Sequence, residues 1–542
     1  MQRSPARKRK PLTRLLAAVA LCLPALALPV TAGPAAAEPA VEHSAGRFAT
    51  VIPAPVEAEP NPGVDFWLSP FTVIRTQPGS TEAAQVGNYL AELLRPATGY
   101  PLPVLSSGRH PLPGGISLLL GRTDPRVGDQ GYQLEVTRTG VTIRADTGAG
   151  LFAGVQTLRQ LLPAQIEADR PQPRLWTVPG GRIVDHPRFA YRGTMLDLAR
   201  HFHTPDEVKA YIDHIAAYKI NYLHLHLTDD QGWRIQIDSW PRLAPEGGGP
   251  GTGVHGVGGG YLTKAEYRDL VAYAASRHIT VVPEIDMPGH TNSALATYAE
   301  LNCDGVAPPP RTDMEVGYSS LCIDKEITYR FVEDVIREVA ELTPGPYLHI
   351  GGDEAHATSD EDYRKFMDRV MPLVGKYGKR IMGWDEIATV DPPGSAVPQF
   401  WDTDAEDADV ARFAAQGGKV LLSPANKAYL DMKYNEHTRL GLRWAGFIEV
   451  RDAYEWNPGT FVQGVPERAV LGVEAPLWSE TLRTLDDIEY MAFPRLPALA
   501  ELGWSAWSTH DWESFRQRLA EHGPRLTLRD IDFYRSPQVP WR

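Results

Sequence analysis

Residues 347–354 read YLHIGGDE: a short, mostly apolar run, then Gly351 and Gly352, then the adjacent carboxylic acids Asp353 and Glu354. An apolar run of this length, bounded by glycines, is typical of a buried strand in a parallel sheet. Glycine lets a backbone approach a ligand closely, because it has no side chain. The stretch therefore predicts a buried strand whose carboxyl end carries two acids at a functional site.

Seven further apolar runs, separated by helical stretches, surround this one in the sequence. They are GTMLDLAR (193–200), NYLHLHLTDD (221–230), ITVVPEIDMPGH (279–290), RIMGWDE (380–386), VPQFW (397–401), KVLLSP (419–424) and LGVEAPLWSE (471–480). Two of the helical stretches begin with capping boxes, TPDE at Thr204 and TKAE at Thr263, which are signatures of a helix start. Eight alternations of strand and helix predict an α/β fold, a (β/α)8 TIM barrel.

Polar or aromatic residues stand at or just after the end of nearly every predicted strand. They are Arg200, Asp229, His290, Asp353, Glu354, Trp384, Glu386, Trp401 and Glu480. In a TIM barrel the carboxyl ends of the strands meet at one rim, where active sites are built. A helix cap or an ion pair could explain a single such residue. It does not explain a polar or aromatic residue at the end of nearly every strand. We therefore expect the active site at this rim.

Carboxylic acids among tryptophans favour a carbohydrate substrate. A glycosidase needs a carboxylic acid to protonate the leaving oxygen, and negative charge to stabilise an oxocarbenium-like transition state. The chain has 13 tryptophans, and Trp384, Trp401, Trp444 and Trp478 lie on or near late strand ends, where their faces could stack on sugar rings. A single tryptophan is better explained by core packing, but several at one rim are not.

The first part of the chain has a different pattern. GYQLEVT (131–137) and GVTIRA (140–145) alternate apolar and polar residues around Gly140, and GLFAGVQTLRQLL (150–162) has helical spacing. These features predict a smaller α+β domain over residues 45–182, after a proline-rich lead-in. We interpret PRLWTVPGGRIVDHPRF (173–189) as a linker into a catalytic domain over residues 183–542.

The amino terminus has the pattern of a secretory signal peptide. Basic residues precede the apolar run Leu15–Val30, and the small-residue tail TAGPAAA follows it, so residues 1–37 are predicted to be removed after Ala37. The run contains two prolines and is short for a membrane span. The formal net charge is -13, which argues against nucleic acid or an anionic membrane as a partner. We expect a secreted protein.

The three cysteines of the chain divide between the leader and the predicted barrel. Cys22 lies within the leader, so Cys303 and Cys322 remain, and the loop between them contains Pro308, Pro309 and Pro310. In an oxidising compartment an even pair predicts a disulfide rather than two free thiols.

Seven motifs, in this order, resemble the family 20 glycoside hydrolases, the β-N-acetylhexosaminidases: DLARHF, HLHLTDDQGWR, PEIDMPGH, HIGGDE, GWDE, YLDMKY and APLWSE. The similarity runs from about residue 121 to residue 507, and GYQLEV with GLFAGVQTLRQLL resembles the family's non-catalytic amino-terminal domain. The resemblance implies a retaining exo-glycosidase that removes terminal β-linked N-acetylglucosamine or N-acetylgalactosamine. In such enzymes the substrate's own 2-acetamido oxygen is the nucleophile, and no cofactor is implied.

The resemblance also implies catalytic roles for individual residues. Glu354 would be the general acid and then the base, while Asp353 would accept the acetamido N–H and stabilise the oxazolinium intermediate. Tyr429 would donate to the acetamido oxygen. Asp229 and His290 would form a relay behind Glu354, and Asp286 is expected to orient His290.

The remaining implied residues bind the substrate. Trp384, Trp401 and Trp478 would enclose the acetamido methyl and the ring face. Arg200 and Glu480 would hold sugar hydroxyls, with Asp431 and Trp444 towards the 6-hydroxyl. The expected partner is a small carbohydrate, an N-acetylhexosaminide such as a chitooligosaccharide. The sequence leaves open whether gluco- or galacto-configured sugars are preferred.

Three other features of the sequence admit a different interpretation. His224 and His226 alternate on one strand, as in zinc hydrolases, but further ligands at metal spacing do not follow, so we predict no metal and hydrogen-bonded core histidines. Residues 251–256 match G-x-G-x-x-G without a preceding strand or following helix, so residues 247–260 are expected to be a flexible surface loop. A non-catalytic sugar-binding barrel is the alternative function, although such a protein would be expected to lack the carboxylates.

Overall fold

The computed structural model describes residues 44–107, 110–121 and 123–542. The predicted signal peptide lies outside these ranges. Among the described residues, no helix has the length and apolar character that a membrane crossing requires.

A seven-stranded mixed sheet forms the smaller, amino-terminal domain. Its strands are β1 (Glu57–Leu68), β2 (Val73–Thr76), β3 (Val104–Ser106), β4 (Gly115–Leu120), β5 (Tyr132–Thr137), β6 (Gly140–Ala145) and β7 (Trp176–Asp185). The strand order is β1-β7-β5-β6-β4-β2-β3, and the predicted hairpin at Gly140 is confirmed, because β5 and β6 pair antiparallel. Helices α1 (Thr81–Thr98) and α2 (Gly148–Leu161) pack against the sheet. The α+β prediction is therefore confirmed.

The interpretation of residues 173–189 as a linker is wrong, because most of them form β7, which pairs with both β1 and β5. The misleading feature is the sequence Pro179-Gly180-Gly181, which resembles a strand breaker. It lies inside a paired strand, opposite a bulge of β1 in which residues 61–64 face Gly180 alone. The last strand of this sheet thus ends at Asp185.

Eight parallel strands close into a barrel, and each contains or overlaps one of the predicted apolar runs. They are β8 (Tyr191–Asp197), β9 (Tyr222–His226), β12 (Thr280–Glu284), β13 (Tyr347–His349), β14 (Arg380–Trp384), β15 (Val397–Phe400), β16 (Val420–Leu422) and β17 (Val470–Leu477). Neighbours in the barrel follow chain order, and β17 pairs with β8 to close it. A two-stranded ribbon, β10 (Thr228–Asp229) and β11 (Gly232–Trp233), projects after β9. The prediction of a TIM barrel is confirmed.

The helices of the barrel domain follow and connect these strands. They are α3 (Pro205–Ala216), α4 (Lys264–Ser276), α5 (Asn292–Thr297), α6 (Glu326–Leu342), α7 (Asp360–Lys376), α8 (Ala408–Ala415), α9 (Ala425–Ala428), α10 (Val450–Tyr454), α11 (Leu485–Ala492), α12 (Arg495–Trp504) and α13 (Trp512–Leu528). Both predicted capping boxes are present, since Thr204 exchanges hydrogen bonds with Glu207 and Thr263 with Glu266. Each box satisfies backbone N–H groups that a helix start leaves without partners.

The glycine-rich segment 247–260 lies at the surface, as predicted, since Val257 is 60% exposed, but part of it packs against the chain that follows β8. Val254 is fully buried, and its N–H donates to the backbone oxygen of Arg200 at 2.8 Å. A Cβ at Gly260 would lie 2.1 Å from the ring of Phe202. The glycines therefore allow close packing against the chain that follows β8, next to the rim.

The predicted disulfide between Cys303 and Cys322 is present. It closes a loop that follows β12 and the short helix α5, at the carboxyl end of the barrel. The loop contributes side chains to the site described next.

Candidate active site

A cavity of about 380 Å³ opens at the carboxyl ends of the barrel strands. Ten of the twelve residues predicted for catalysis or substrate binding line it: Arg200, His290, Asp353, Glu354, Trp401, Tyr429, Asp431, Trp444, Trp478 and Glu480. The other two, Asp229 and Trp384, are buried behind the lining residues. The barrel thus brings residues that are 280 positions apart in the chain into one pocket.

Asp353 and Glu354 leave β13 through a tight backbone turn. Gly351 and Gly352 have φ values of 65° and 105°, and Glu354 itself has a φ of 45°. A Cβ at Gly351 would lie 1.7 Å from a carboxylate oxygen of Asp286, so a side chain is excluded there. The glycine pair therefore permits close approach to a neighbouring protein carboxylate, where the sequence suggested a ligand. Left-handed backbone at a residue such as Glu354 is strained and is typical of functional sites.

His290 links the buried carboxylate of Asp229 to the two acids. Its Nδ1 lies 3.1 Å from Asp229 Oδ1, while its Nε2 lies 3.3 Å from Glu354 Oε2 and 3.6 Å from Asp353 Oδ2. Burial by itself would lower the pKa of His290, but Asp229 and Asp353 raise it well above its usual value. The geometry matches the predicted relay behind Glu354.

Asp286 does not hydrogen-bond to His290, contrary to the expectation that it orients this ring. Its Oδ1 instead accepts the N–H of Gly352 at 3.1 Å. Burial raises the pKa of Asp353 well above its usual range, and the neighbouring Asp286 carboxylate raises it further. His290, 3.6 Å away, opposes this shift of the pKa, and a further positive charge beside Asp353 would favour the carboxylate more.

Arg200 and Glu480 form a charged wall of the pocket. Arg200 is buried, and its Nη2 lies 2.8 Å from Asp229 Oδ2. Its guanidinium also lies 4.8 Å from the ring centroid of Trp478. Burial raises the pKa of Glu480 to about 7, against the opposing effect of Arg200. Arg200 therefore contacts Asp229 behind the pocket and also lines the pocket itself.

Aromatic rings enclose the other side of the cavity. Tyr429 is buried and lies 5.8 Å from Trp444, whose ring is 6.0 Å from that of Trp401. Burial raises the pKa of Tyr429 well above its usual value, so its hydroxyl stays protonated and can donate a hydrogen bond. Trp444 is 54% exposed, which places it at the mouth.

Trp384 lies one layer beneath the cavity. It is 1% exposed, its ring lies 5.7 Å from that of Trp478, and its Nε1 donates to Glu284 at 3.0 Å. Trp384 therefore supports the pocket floor formed by Trp478.

Several carboxylate oxygens at the pocket lack hydrogen-bond partners within the described residues. They are Oδ1 of Asp353, both carboxylate oxygens of Asp431 and Oε2 of Glu480. Buried polar atoms without partners are costly and uncommon in folded proteins. A ligand rich in N–H and O–H donors would satisfy them.

Sequence reasoning missed three apolar residues of the cavity wall: Met314, Val316 and Leu442. Met314 and Val316 belong to the loop closed by the disulfide. The predicted disulfide was the one sequence feature that could have pointed to this loop. The sequence analysis also assigned no role to Glu386, whose carboxylate accepts a hydrogen bond from the Trp401 indole N–H at 3.2 Å. Apolar wall residues carry no chemical signature in a sequence, so only the fold locates them.

The two histidines of the zinc alternative lie within the barrel core. His224 Nδ1 is hydrogen-bonded to Glu474 Oε1 at 2.9 Å, and His226 is hydrogen-bonded to Glu284 and Asp229. Both rings are buried and paired with carboxylates. They are hydrogen-bonded core groups, as interpreted, but possible ligand atoms of His224, Glu284 and His349 lie within 4.8 Å of one another, so the premise that further ligands do not follow is wrong.

Comparisons with known proteins agree with the geometry. Residues 189–507 match the glycosyl hydrolase family 20 catalytic domain, and residues 49–186 match domain 2 of that family. The chain is 41% identical to a β-N-acetylhexosaminidase of Cellulomonas fimi over 91% of this chain and 97% of that protein. It is 36% identical to a β-hexosaminidase of Porphyromonas gingivalis over 84% of this chain and 60% of that protein.

Solved structures show the same similarity. A family 20 β-N-acetylhexosaminidase from Streptomyces coelicolor superposes with a TM-score of 0.88 at 56% identity, covering 91% of this chain and 99% of that one. A mutant β-hexosaminidase from Streptomyces plicatus, in complex with its product GlcNAc, gives a TM-score of 0.88 at 57% identity. It covers 91% of this chain and 98% of that chain.

Proposed function

Because this chain belongs to glycosyl hydrolase family 20, we propose that it removes terminal β-linked N-acetylglucosamine or N-acetylgalactosamine by substrate-assisted catalysis. The enzyme is a β-N-acetylhexosaminidase, a retaining glycosidase in which the 2-acetamido oxygen attacks the anomeric carbon. The observation that carries this proposal is the pocket in which Asp353, Glu354 and Tyr429 meet below aromatic walls.

Glu354 is proposed to protonate the leaving oxygen and then to activate water. Its side chain is 27% exposed, so it can reach both a bound glycoside and solvent. The positively charged ring of His290, 3.3 Å away, would stabilise the carboxylate that forms when the proton leaves. General acid–base catalysis by one group in both half-reactions requires such a reversible proton.

Asp353 is proposed to bind the acetamido N–H. Its unpartnered Oδ1 at the pocket is available as the acceptor. Since burial raises the pKa of Asp353, its ionised form becomes favourable as the oxazolinium charge develops beside it. The interaction therefore strengthens from the ground state to the transition state, which is what lowers the barrier.

Tyr429 and the tryptophans are proposed to hold the acetamido group. The protonated Tyr429 hydroxyl would donate to the attacking oxygen, while Trp401 and Trp478 would enclose the methyl group from the sides. Trp384 would support Trp478 from below, since their rings are 5.7 Å apart. Together these groups would press the acetamido oxygen towards the anomeric carbon.

Arg200, Asp431 and Glu480 are proposed to bind the sugar hydroxyls, with Trp444 near the 6-hydroxyl side and the mouth. The partnerless carboxylate oxygens of Asp431 and Glu480 support this assignment. Chitooligosaccharides are proposed among the natural substrates.

The non-catalytic alternative lacks support, because Glu354, Asp353 and His290 line the pocket, Asp229 lies behind them, and the relatives of this chain are enzymes. Measuring turnover distinguishes the enzyme from a non-catalytic sugar-binding protein. The enzyme should release an aryl group from the β-N-acetylglucosaminide with retained anomeric configuration by NMR, and should scarcely act on the matched β-glucoside. Inverted product, or equal turnover of both substrates, would contradict the proposal.

Secretion is proposed from the basic residues, apolar run and small-residue tail of residues 1–37. Amino-terminal sequencing of the protein from culture medium should give Glu38 as the first residue. Retention of the full-length chain inside the cell would contradict this proposal.

A further inference from the structure

The contacts behind Glu354 continue past His290 into the centre of the barrel. His290 Nδ1 is 3.1 Å from Asp229 Oδ1, and Asp229 Oδ2 is 2.8 Å from His226 Nε2. The other nitrogen of His226 contacts the carboxylate of Glu284. The relay predicted from the sequence, Asp229 and His290, is therefore part of a longer one. We use the name for all five residues in this order: Glu284, His226, Asp229, His290 and Glu354. Every member before Glu354 is at most 2% exposed.

Glu284 is the last residue of β12 and lies between two neighbouring strands. It pairs in register with His226 of β9 and with His349 of β13. Besides His226, it lies 3.0 Å from His349 Nδ1 and accepts the Trp384 indole N–H at 3.0 Å. One buried carboxylate therefore joins the relay to the tryptophan beneath the pocket floor.

The charges along the relay alternate. Burial would raise the pKa of Glu284, but His226 and His349 hold it well below its usual range. Burial would lower the pKa of His226, yet Glu284 and Asp229 raise it to about 10. Glu284 is thus an anion beside a cationic His226, which in turn faces the anionic Asp229. This order of charge continues to the cationic His290, which lies beside Glu354.

We propose that Glu284 is a positioning residue of this enzyme, which holds His226 and thereby Asp229 and His290 in place behind the acid, and which holds Trp384 beneath the floor. The inference rests on the proposed function. Glu284 does not line the cavity and would act only through other side chains.

Stability alone does not account for a carboxylate at this position. A buried ion pair is often no more stabilising than apolar residues of the same volume, and the rest of the barrel core is rich in such residues. What the carboxylate adds is orientation, because it determines which nitrogen of His226 faces Asp229. It also adds charge, because it keeps His226 cationic.

The direction of the effect follows from these charges. Without the Glu284 charge, His226 loses the larger of the two contributions that raise its pKa, so the positive charge that faces Asp229 is weakened. The negative charge of Asp229 is then less compensated, so it stabilises the cationic form of His290 more strongly. A cation beside the acid favours loss of the acid's proton.

Other ionisable groups surround these residues and remain in place in the variants below. Those facing Glu284 or its histidines are His224, His349, Asp286 and Glu474. Those facing Asp229, His290 or Glu354 are Arg200, Asp230, Asp286, Asp353 and Glu386.

The test is the pH profile of kcat/KM for Glu284→Gln, which keeps shape but removes charge. We expect kcat to fall at least about tenfold on a substrate with a poor leaving group, with a much smaller change in KM. The basic limb should move to lower pH by about half a unit or more. The loss of kcat should be smaller on an activated aryl substrate, because that substrate needs less protonation.

Glu474→Gln is the matched control. Glu474 is equally buried in the barrel and contacts His224, Tyr191 and Gln399, but it does not touch His226 or Trp384. Its variant should lose thermal stability while keeping the wild-type basic limb. A Glu284→Gln variant that only lost stability, with the limb and leaving-group dependence of the wild type, would overturn the proposal.

His226→Gln provides a second route if Glu284→Gln does not fold. It removes the same positive charge from beside Asp229, so its basic limb should also move to lower pH. An unchanged limb in His226→Gln would overturn the proposal. Failure of the proposed function is distinguishable, since the wild-type enzyme would then not depend on the 2-acetamido group of its substrate.

Discussion

His290 Nε2 lies 3.3 Å from Glu354 Oε2, while the opposite ring nitrogen faces Asp229 at 3.1 Å. The ring therefore joins the buried carboxylate of Asp229, whose pKa is held well below its usual value by Arg200 and His290, to a carboxyl group that is open to the pocket. Since Asp229 and Asp353 raise the pKa of His290 well above its usual value, the ring is a cation at neutral pH. This contact is the structural basis for assigning the proton transfers to Glu354.

Glu354→Gln should keep the fold and sugar affinity but lose the proton donor. On a substrate with a poor leaving group we expect kcat to fall by about 10² to 10⁴-fold. An activated aryl leaving group needs little protonation, so the loss there should be smaller. Steady-state kinetics on both substrates measure this difference, and equal losses would show that Glu354 is not the acid.

Tyr429→Phe should remove the donor to the attacking acetamido oxygen without opening the pocket. Hydrogen bonds that strengthen in the transition state act mainly on kcat, so we expect a decrease of about 10- to 1000-fold with little change in KM. The comparison uses the same aryl N-acetylglucosaminide for both enzymes. A rise in KM with unchanged kcat would place Tyr429 in ground-state binding only.

Glu480 should contribute a decrease in stability as pH rises from about 4.5 to about 7. Its pKa is raised by burial from 4.5 to about 7, so the unfolded chain ionises at a lower pH than the folded one. The neutral form stabilises the fold fully below 4.5, and this contribution is lost as pH rises through about 7. Thermal unfolding of Glu480→Gln across this range should show a shallower decrease than the wild type.

Glu59→Gln is the control for this measurement, because Glu59 is exposed on β1. Its pH dependence of unfolding should match that of the wild type. If Glu480→Gln also matched the wild type, Glu480 would not contribute to the pH dependence.

The disulfide should stabilise the enzyme and hold one wall of the pocket. Replacing Cys303 and Cys322 together by serine opens a loop with a sequence separation of 19, which on the chain-entropy model costs roughly 3 kcal/mol. Because the loop carries Met314 and Val316, KM should also rise. Denaturant unfolding and kinetics measure the two effects, and a double variant as stable as the wild type would contradict the first.

Most of the pocket could be predicted from the sequence, since parallel strands of a barrel end at one rim. Asp353, Trp401 and Glu480 follow three different strands, and the fold alone brings them together. Trp384 could not be placed, because whether the last residue of a strand faces the cavity or the core depends on its neighbours. Here Glu284 of β12 holds the indole from below.

Glycines and prolines account for the remaining differences. Pro179 and Gly181 indicated a linker but belong to β7, where they pair with β1 on either side of a bulge in β1. Gly260 indicated flexibility, yet it is a glycine because the ring of Phe202 occupies the space of a Cβ. In both cases the physical reason is a contact with a distant segment, which a local pattern does not contain.

The central claim is that the acetamido oxygen of the substrate is the nucleophile. The most direct test is a series of aryl N-acetylglucosaminides whose acetamido methyl carries zero, one, two or three fluorines. Fluorine withdraws electron density from the attacking oxygen, so kcat/KM should decrease steeply along the series, with anomeric configuration retained. A rate that is flat along the series, or a covalent glycosyl ester trapped on Asp353, Glu354 or another carboxylate, would contradict the claim.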